Sequence, residues 1–122
     1  MRRKLTTENH VKALVKDWYE SVSAWHYAPI QNGMGVHGIP DRIGCVPVVV
    51  TPEMVGRTIG LFVAVECKKP GRRGERARGL SPAQALQQEG ILRAHGHHAV
   101  CDGDEDLAAL HKNIFQMELD LG

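Results

Sequence analysis

The chain lacks an excess of charge. Lys and Arg number 15 against 14 Asp and Glu, a formal net of +1 over 122 residues. No global field marks it for nucleic acid, so such a partner has to be read from local charge. Cysteine is scarce and odd in number (Cys45, Cys67, Cys101), with no C-x-x-C pair. That excludes a disulfide scaffold and fits a reducing cytoplasm. Long apolar runs are missing as well. The strongest stretches, residues 46–50 and 61–65, fall far short of the ~20 residues a membrane-spanning helix needs. The basic N-terminus is followed by no apolar segment and does not have the form of a secretory signal. Internal repeats and low-complexity segments are also absent. What remains, 43% hydrophobic and 24% charged residues, is the composition of an ordinary globular domain. The length predicts one domain over residues 1–122 with a single core.

Periodicity then places the elements. Thr6 or Thr7 can cap a helix starting near Glu8, with Val11, Leu14, Val15, Trp18 and Val22 as its apolar stripe, ending before Pro29. A glycine-rich stretch, 31–40, cannot be a regular element. Residues 41–50 read as one or two strands interrupted at Pro47. Residues 61–68 form the clearest strand, apolar on both faces at first, as expected of a central strand covered on both sides. Ser81-Pro82-x-Gln84 opens a second helix with the letters of a capping box, running to about His95 and closing at Gly96. Residues 97–101 are a short final strand. Asp104 can cap a last helix with Leu107, Leu110, Ile114 and Met117 on its buried stripe. The order α-β-β-β-α-β-α implies an α/β fold, a mixed central β-sheet flanked by helices.

Chemistry concentrates at two acidic positions. Asp41 follows a Gly-x-Pro kink and begins a strand. Glu66 ends the central strand, and Lys68, two residues on, shares its face while Cys67 points away. Carboxylates at strand ends can hold Mg²⁺ through hard oxygen donors and leave positions for water and phosphate. A lysine beside them can orient the nucleophilic water or stabilise charge developing on phosphorus. The loop of residues 72–79 carries four arginines and one glutamate, a basic patch suited to flanking phosphates.

Gly38-Ile39-Pro40-Asp41-Arg42, Val65-Glu66-Cys67-Lys68, Leu80-Ser81-Pro82-x-Gln84 and then Gly96, in that order and spacing, resemble the PD-(D/E)xK nuclease superfamily, specifically its VRR-NUC branch. The length is similar to that of the small stand-alone members found in phages and bacteria. The resemblance covers nearly the whole chain and implies a restriction-endonuclease-like core. By it, Asp41, Glu66, Lys68 and Gln84 are the catalytic residues. Metal-binding roles fall to Glu8, Asp41, Glu66 and the backbone carbonyl of Cys67. The implied activity is a Mg²⁺-dependent endonuclease, with Mn²⁺ able to substitute, selective for branched DNA such as four-way (Holliday) junctions. A homodimer acting in the cytoplasm, that of the host if phage-encoded, is implied too. DNA contacts are expected from Arg42, Arg72, Arg73, Arg76, Arg78 and His37. The connection through residues 53–60 lengthens the path from Asp41 to the Glu-x-Lys strand and leaves the hairpin geometry open.

Blander readings stand beside these. Pro-Asp is commonly a turn, an exposed Glu-x-Lys pair is worth little, and Glu8 suits a helix first turn. Gln84 is explained by capping alone, with Gln87 and Gln88 as rivals for an active-site glutamine. Gly33-x-Gly35-x-x-Gly38 matches a dinucleotide fingerprint by letter, but no strand precedes it and Pro40 follows where a helix has to begin, so no nucleotide cofactor is expected. His95, His97 and His98 read as surface histidines, and Cys67 and Cys101 as core. The alternative function is a catalytically silent or partner-activated module of the same fold that only binds branched DNA.

Overall fold

The computed structural model describes residues 7–30, 38–71 and 75–116. The chain forms two compact units: Met1–Ile59 with Arg93–His95, and Gly60–Leu92 with Gly96–Gly122. The class is mixed α/β, with three α-helices and two small sheets among the described residues. The single central sheet expected from the sequence is replaced by two two-stranded sheets.

In the first unit, helix α1 (Glu8–Ser21) starts at Thr7, whose extended backbone and Oγ1, accepting from the His10 N–H at 3.1 Å, make the N-cap. It closes at Ser23, which takes a left-handed φ of 61°. The Ala24 N–H bonds to the Tyr19 carbonyl and the Ser23 N–H to that of Glu20, both at 3.1 Å. This is a Schellman closure, reached well before Pro29. The apolar stripe is not buried: Val11, Leu14, Val15 and Trp18 are all exposed. Strand β1 (Trp25–Tyr27) follows and pairs antiparallel with β2 (Ile43–Cys45), Trp25 opposite Cys45. β1 is too short to show an alternation in sequence. Of the one or two strands expected over 41–50 with an interruption at Pro47, only β2 forms; Pro47 has no N–H to donate, and residues 48–50 are exposed without regular structure. The buried cysteine is Cys45, whose thiol donates to the Ala94 carbonyl at 3.5 Å; burial pushes it up from its ordinary pKa.

The second unit is a β-α-β crossover followed by a helix. Strand β3 (Val63–Cys67) pairs in parallel with β4 (His97–Cys101), Glu66 beside Val100. Helix α2 (Pro82–Arg93) supplies the connection that a parallel pair requires. Helix α3 (Asp104–Phe115) packs against β4. Its N-cap is Gly103 rather than Asp104, which lies in the first turn; Met117 falls outside the described residues. Ile91 and Val100 are the buried apolar side chains of this unit. β3 is covered on one face only. Val63 and Val65 remain 41% exposed, and Cys67, on their face, is exposed rather than core. The other face carries Ala64, Glu66 and, one step past the strand, Lys68, all half-buried. No described helix is long and apolar enough to cross a membrane.

Candidate active site

Glu66 and Lys68 emerge on the half-buried face of β3, and the N-terminus of α2 meets them there. Ser81 is the N-cap and Gln84 stands three residues on. The Gln84 N–H donates to Ser81 Oγ at 3.1 Å, and Gln84 Oε1 accepts from the Ser81 N–H at 2.9 Å. Both halves of the capping box are made. The same amide does more. Its Oε1 also accepts from Lys68 Nζ at 2.9 Å, and its Nε2 donates to Glu66 Oε1 at 2.7 Å. The amide orientation follows from its partners. Turned over, the NH₂ would face an ammonium and a backbone N–H while the oxygen faced a carboxylate. Gln84 thus stands between the carboxylate and the ammonium of the Glu-x-Lys motif and orients each. The capping role and the place beside the motif are one arrangement. Of its rivals, Gln87 is exposed, and Gln88, one turn along the helix, reaches His98 instead, Nε2 to Nδ1 at 3.1 Å.

His98 is the residue that sequence reasoning missed. It is half-buried on β4 beside Ala64, on the Glu66 face of the sheet. Burial pushes its imidazole below the ordinary pKa, against an upward pull from the Glu66 carboxylate. The signal was present as alternation: His98 and Val100 share a face, and that face is the covered one.

The first unit holds the other expected site residues. Gly38 takes a φ of +77°, which favours glycine, and leads through Pro40 to Asp41. Asp41 and Glu8 both line a cavity of about 700 Å³. Its apolar wall is Val11, Val15, Ala28 and Pro29, and Lys12 and Arg42 also border it. Glu8 lies 3.8 Å from Lys12 in an exposed i, i+4 pair, an interaction of small weight. Arg42 is half-buried and donates from Nη1 to His26 Nδ1 at 2.9 Å.

Two groupings of expected site residues therefore exist: Glu66, Lys68 and Gln84 in one unit, Glu8, Asp41 and Arg42 in the other. Arg78 is exposed, in a short 3-10 turn (Arg76–Gly79). His37, Arg72 and Arg73 lie outside the described residues, as does the side chain of Arg76. Comparison with protein-family models, curated proteins and solved structures finds no match to this chain. Among the described residues no group of three or more His, Cys, Asp and Glu is placed to hold a metal by itself. The donor chemistry nevertheless fits Mg²⁺, which takes hard oxygens, usually one or two carboxylates, and completes its shell with water. Glu66 has one oxygen engaged by Gln84.

Proposed function

We propose that the protein is a Mg²⁺-dependent DNA endonuclease, a structure-selective phosphodiester hydrolase of the VRR-NUC type acting on branched DNA. The observation that carries this reading is Gln84 joining Glu66 and Lys68. An apolar strand ending in a solvated ion pair needs no such bridge. A general acid–base and metal site needs both groups oriented.

In the second unit, Glu66 and the Cys67 carbonyl would hold the metal; a metal-binding role for Glu8 and Asp41 is what the resemblance implies. When bound, Mg²⁺ lowers the pKa of water and neutralises charge on the scissile phosphate. The chain's own residues do the rest. Lys68, steered by the Gln84 carbonyl oxygen, presents its remaining N–H bonds to the attacking water or to the phosphoryl oxygens, where negative charge develops. Gln84 Nε2 donates to the Glu66 carboxylate and orients it. Arg42 and Arg78 offer cationic contacts to flanking phosphates. Selectivity for a four-way junction goes with a homodimer, since two symmetric scissile phosphates match a two-fold pair of sites.

Purified protein incubated with labelled four-way junction in Mg²⁺ tests the reading. Cleavage is expected, lost in EDTA and in Asp41→Ala or Glu66→Ala variants that keep the wild-type circular dichroism. Full cleavage by either folded variant overturns it. Tight binding of the junction with no cleavage in Mg²⁺ or Mn²⁺ favours the silent binding module instead.

A further inference from the structure

We infer that His26 is a positioning residue: it fixes the Arg42 guanidinium beside Asp41 and Glu8 so that Arg42 can take a phosphate of the nucleic-acid backbone. This rests on the nuclease reading and adds to it a residue that no motif marks.

The register of the small antiparallel sheet sets up the contact. His26 lies opposite Gly44, and by alternation Arg42, two residues before Gly44, falls on the same side. Tyr19 of α1 lies on that side too, its ring stacked on His26 with centroids 5.2 Å apart and planes 17° from parallel. Gly44 makes the stack possible: a Cβ there would come within 2.8 Å of Tyr19 Cε1 and of the Trp25 carbonyl, and within 2.9 Å of His26 Cβ. The imidazole is thus held by its ring face, and its Nδ1 is left to meet Arg42 Nη1 at 2.9 Å. A guanidinium only donates, so Nδ1 accepts and the ring proton sits on Nε2.

The choice of acceptor has a consequence for charge. A carboxylate at position 26 would orient Arg42 and neutralise it as well. A neutral imidazole orients it and leaves the full positive charge. One N–H of the five in the guanidinium fork is taken, which leaves enough for a bidentate grip on phosphate. The nearby groups at the cavity are Glu8, Lys12 and Asp41. Two of these are acids, so an untethered arginine would fold onto them. The His26 contact gives the guanidinium a neutral partner in their place.

The test uses the full chain and a fluorescent four-way junction, with Ca²⁺ in place of Mg²⁺, read by anisotropy across a range of KCl. His26→Phe keeps a ring on Tyr19 and removes the acceptor. His26→Gln restores an acceptor without the ring. Arg42→Ala is the reference, and the melting curve of each variant reports folding. His26→Phe is expected to weaken binding roughly tenfold and to lower the salt slope by about one. These match the values for Arg42→Ala, and no further loss is expected in the double variant. His26→Gln is expected to recover most of the affinity. Wild-type affinity and slope in folded His26→Phe, or in both His26 variants, overturns the inference while leaving the nuclease reading intact. Additive losses in the double variant also overturn it. If the wild-type protein neither binds nor cuts the junction, the nuclease reading fails and this inference fails with it.

Discussion

Gln84 engages four groups, Ser81 twice, Lys68 and Glu66, and two substitutions separate its duties. Gln84→Ala removes the side-chain half of the box and the bridge together, leaving the backbone N–H of residue 84 on Ser81 Oγ, and is expected to lower stability by about 1 kcal/mol and cleavage at least tenfold. Gln84→Glu keeps an acceptor for the Ser81 N–H but sets a carboxylate against Glu66. Its melting temperature is expected above that of Gln84→Ala, with cleavage still depressed. Wild-type cleavage by both variants contradicts the bridging role. Gly44 is the second position where one residue decides a larger arrangement. Gly44→Ala has to displace the Tyr19 ring or the β1 backbone, and is expected to destabilise the fold by about 1–3 kcal/mol in urea unfolding. An unchanged midpoint contradicts the close approach drawn between Gly44 and Tyr19. Single letters were legible where chemistry and spacing coincide: Glu66 and Lys68 share a face as period two requires, and Ser81 and Gln84 form the box their spacing announces. His26 was not legible, and of His98 the alternation shows only the face it shares with Val100. Their roles depend on partners, Arg42 and Gln88, brought to them by pairing and packing across the chain.

Among elements, helix ends are the common theme. α1, α2 and α3 each close on a non-glycine residue in the left-handed region: Ser23 at φ 61°, His95 at 67° and Gln116 at 59°. The Gly96 N–H reaches back to the Ile91 carbonyl at 2.9 Å, so Gly96 sits one place beyond the position where glycine relieves most strain. The sequence pattern places the end of α2 near Gly96, and the helix stops at Arg93 with His95 making the turn. His95→Gly and Ser23→Gly are each expected to raise stability by roughly 0.5–1 kcal/mol. A fall in thermal midpoint for either contradicts the left-handed closure at that site. Strands were read less well than helices. β3 and β4 announce themselves by apolar and β-branched runs. The three-residue strand β1 carries too few alternations to register, and of the run read over 41–50 only β2 forms. The two-sided burial expected of β3 fails because its partner strand and α2 leave the Val63–Val65 face uncovered.

At the scale of the whole molecule, stability against acid follows from His98. Its folded-state pKa lies below the ordinary value near 6.5, so the unfolded chain binds the extra proton first as pH falls. The neutral imidazole therefore supports the fold fully above about pH 6.5, and that support is lost as pH drops through the folded value. In EDTA, the urea midpoint is expected to fall between about pH 7.5 and 5.5, and to fall less in His98→Gln. An equal fall in both proteins contradicts a desolvated His98. The α/β class was legible in the alternation of helix and strand periods. The division into two compact units was not, since local patterns carry no record of which segments pack together.

The most direct measurement compares wild type with Glu66→Ala on a labelled four-way junction, in Mg²⁺ and in EDTA, with flap and linear duplex alongside. The account predicts cuts at symmetric positions in the junction, only with metal and only with Glu66 present. Cleavage that persists in the folded variant, or wild-type protein that leaves every substrate whole in Mg²⁺ and Mn²⁺, contradicts it.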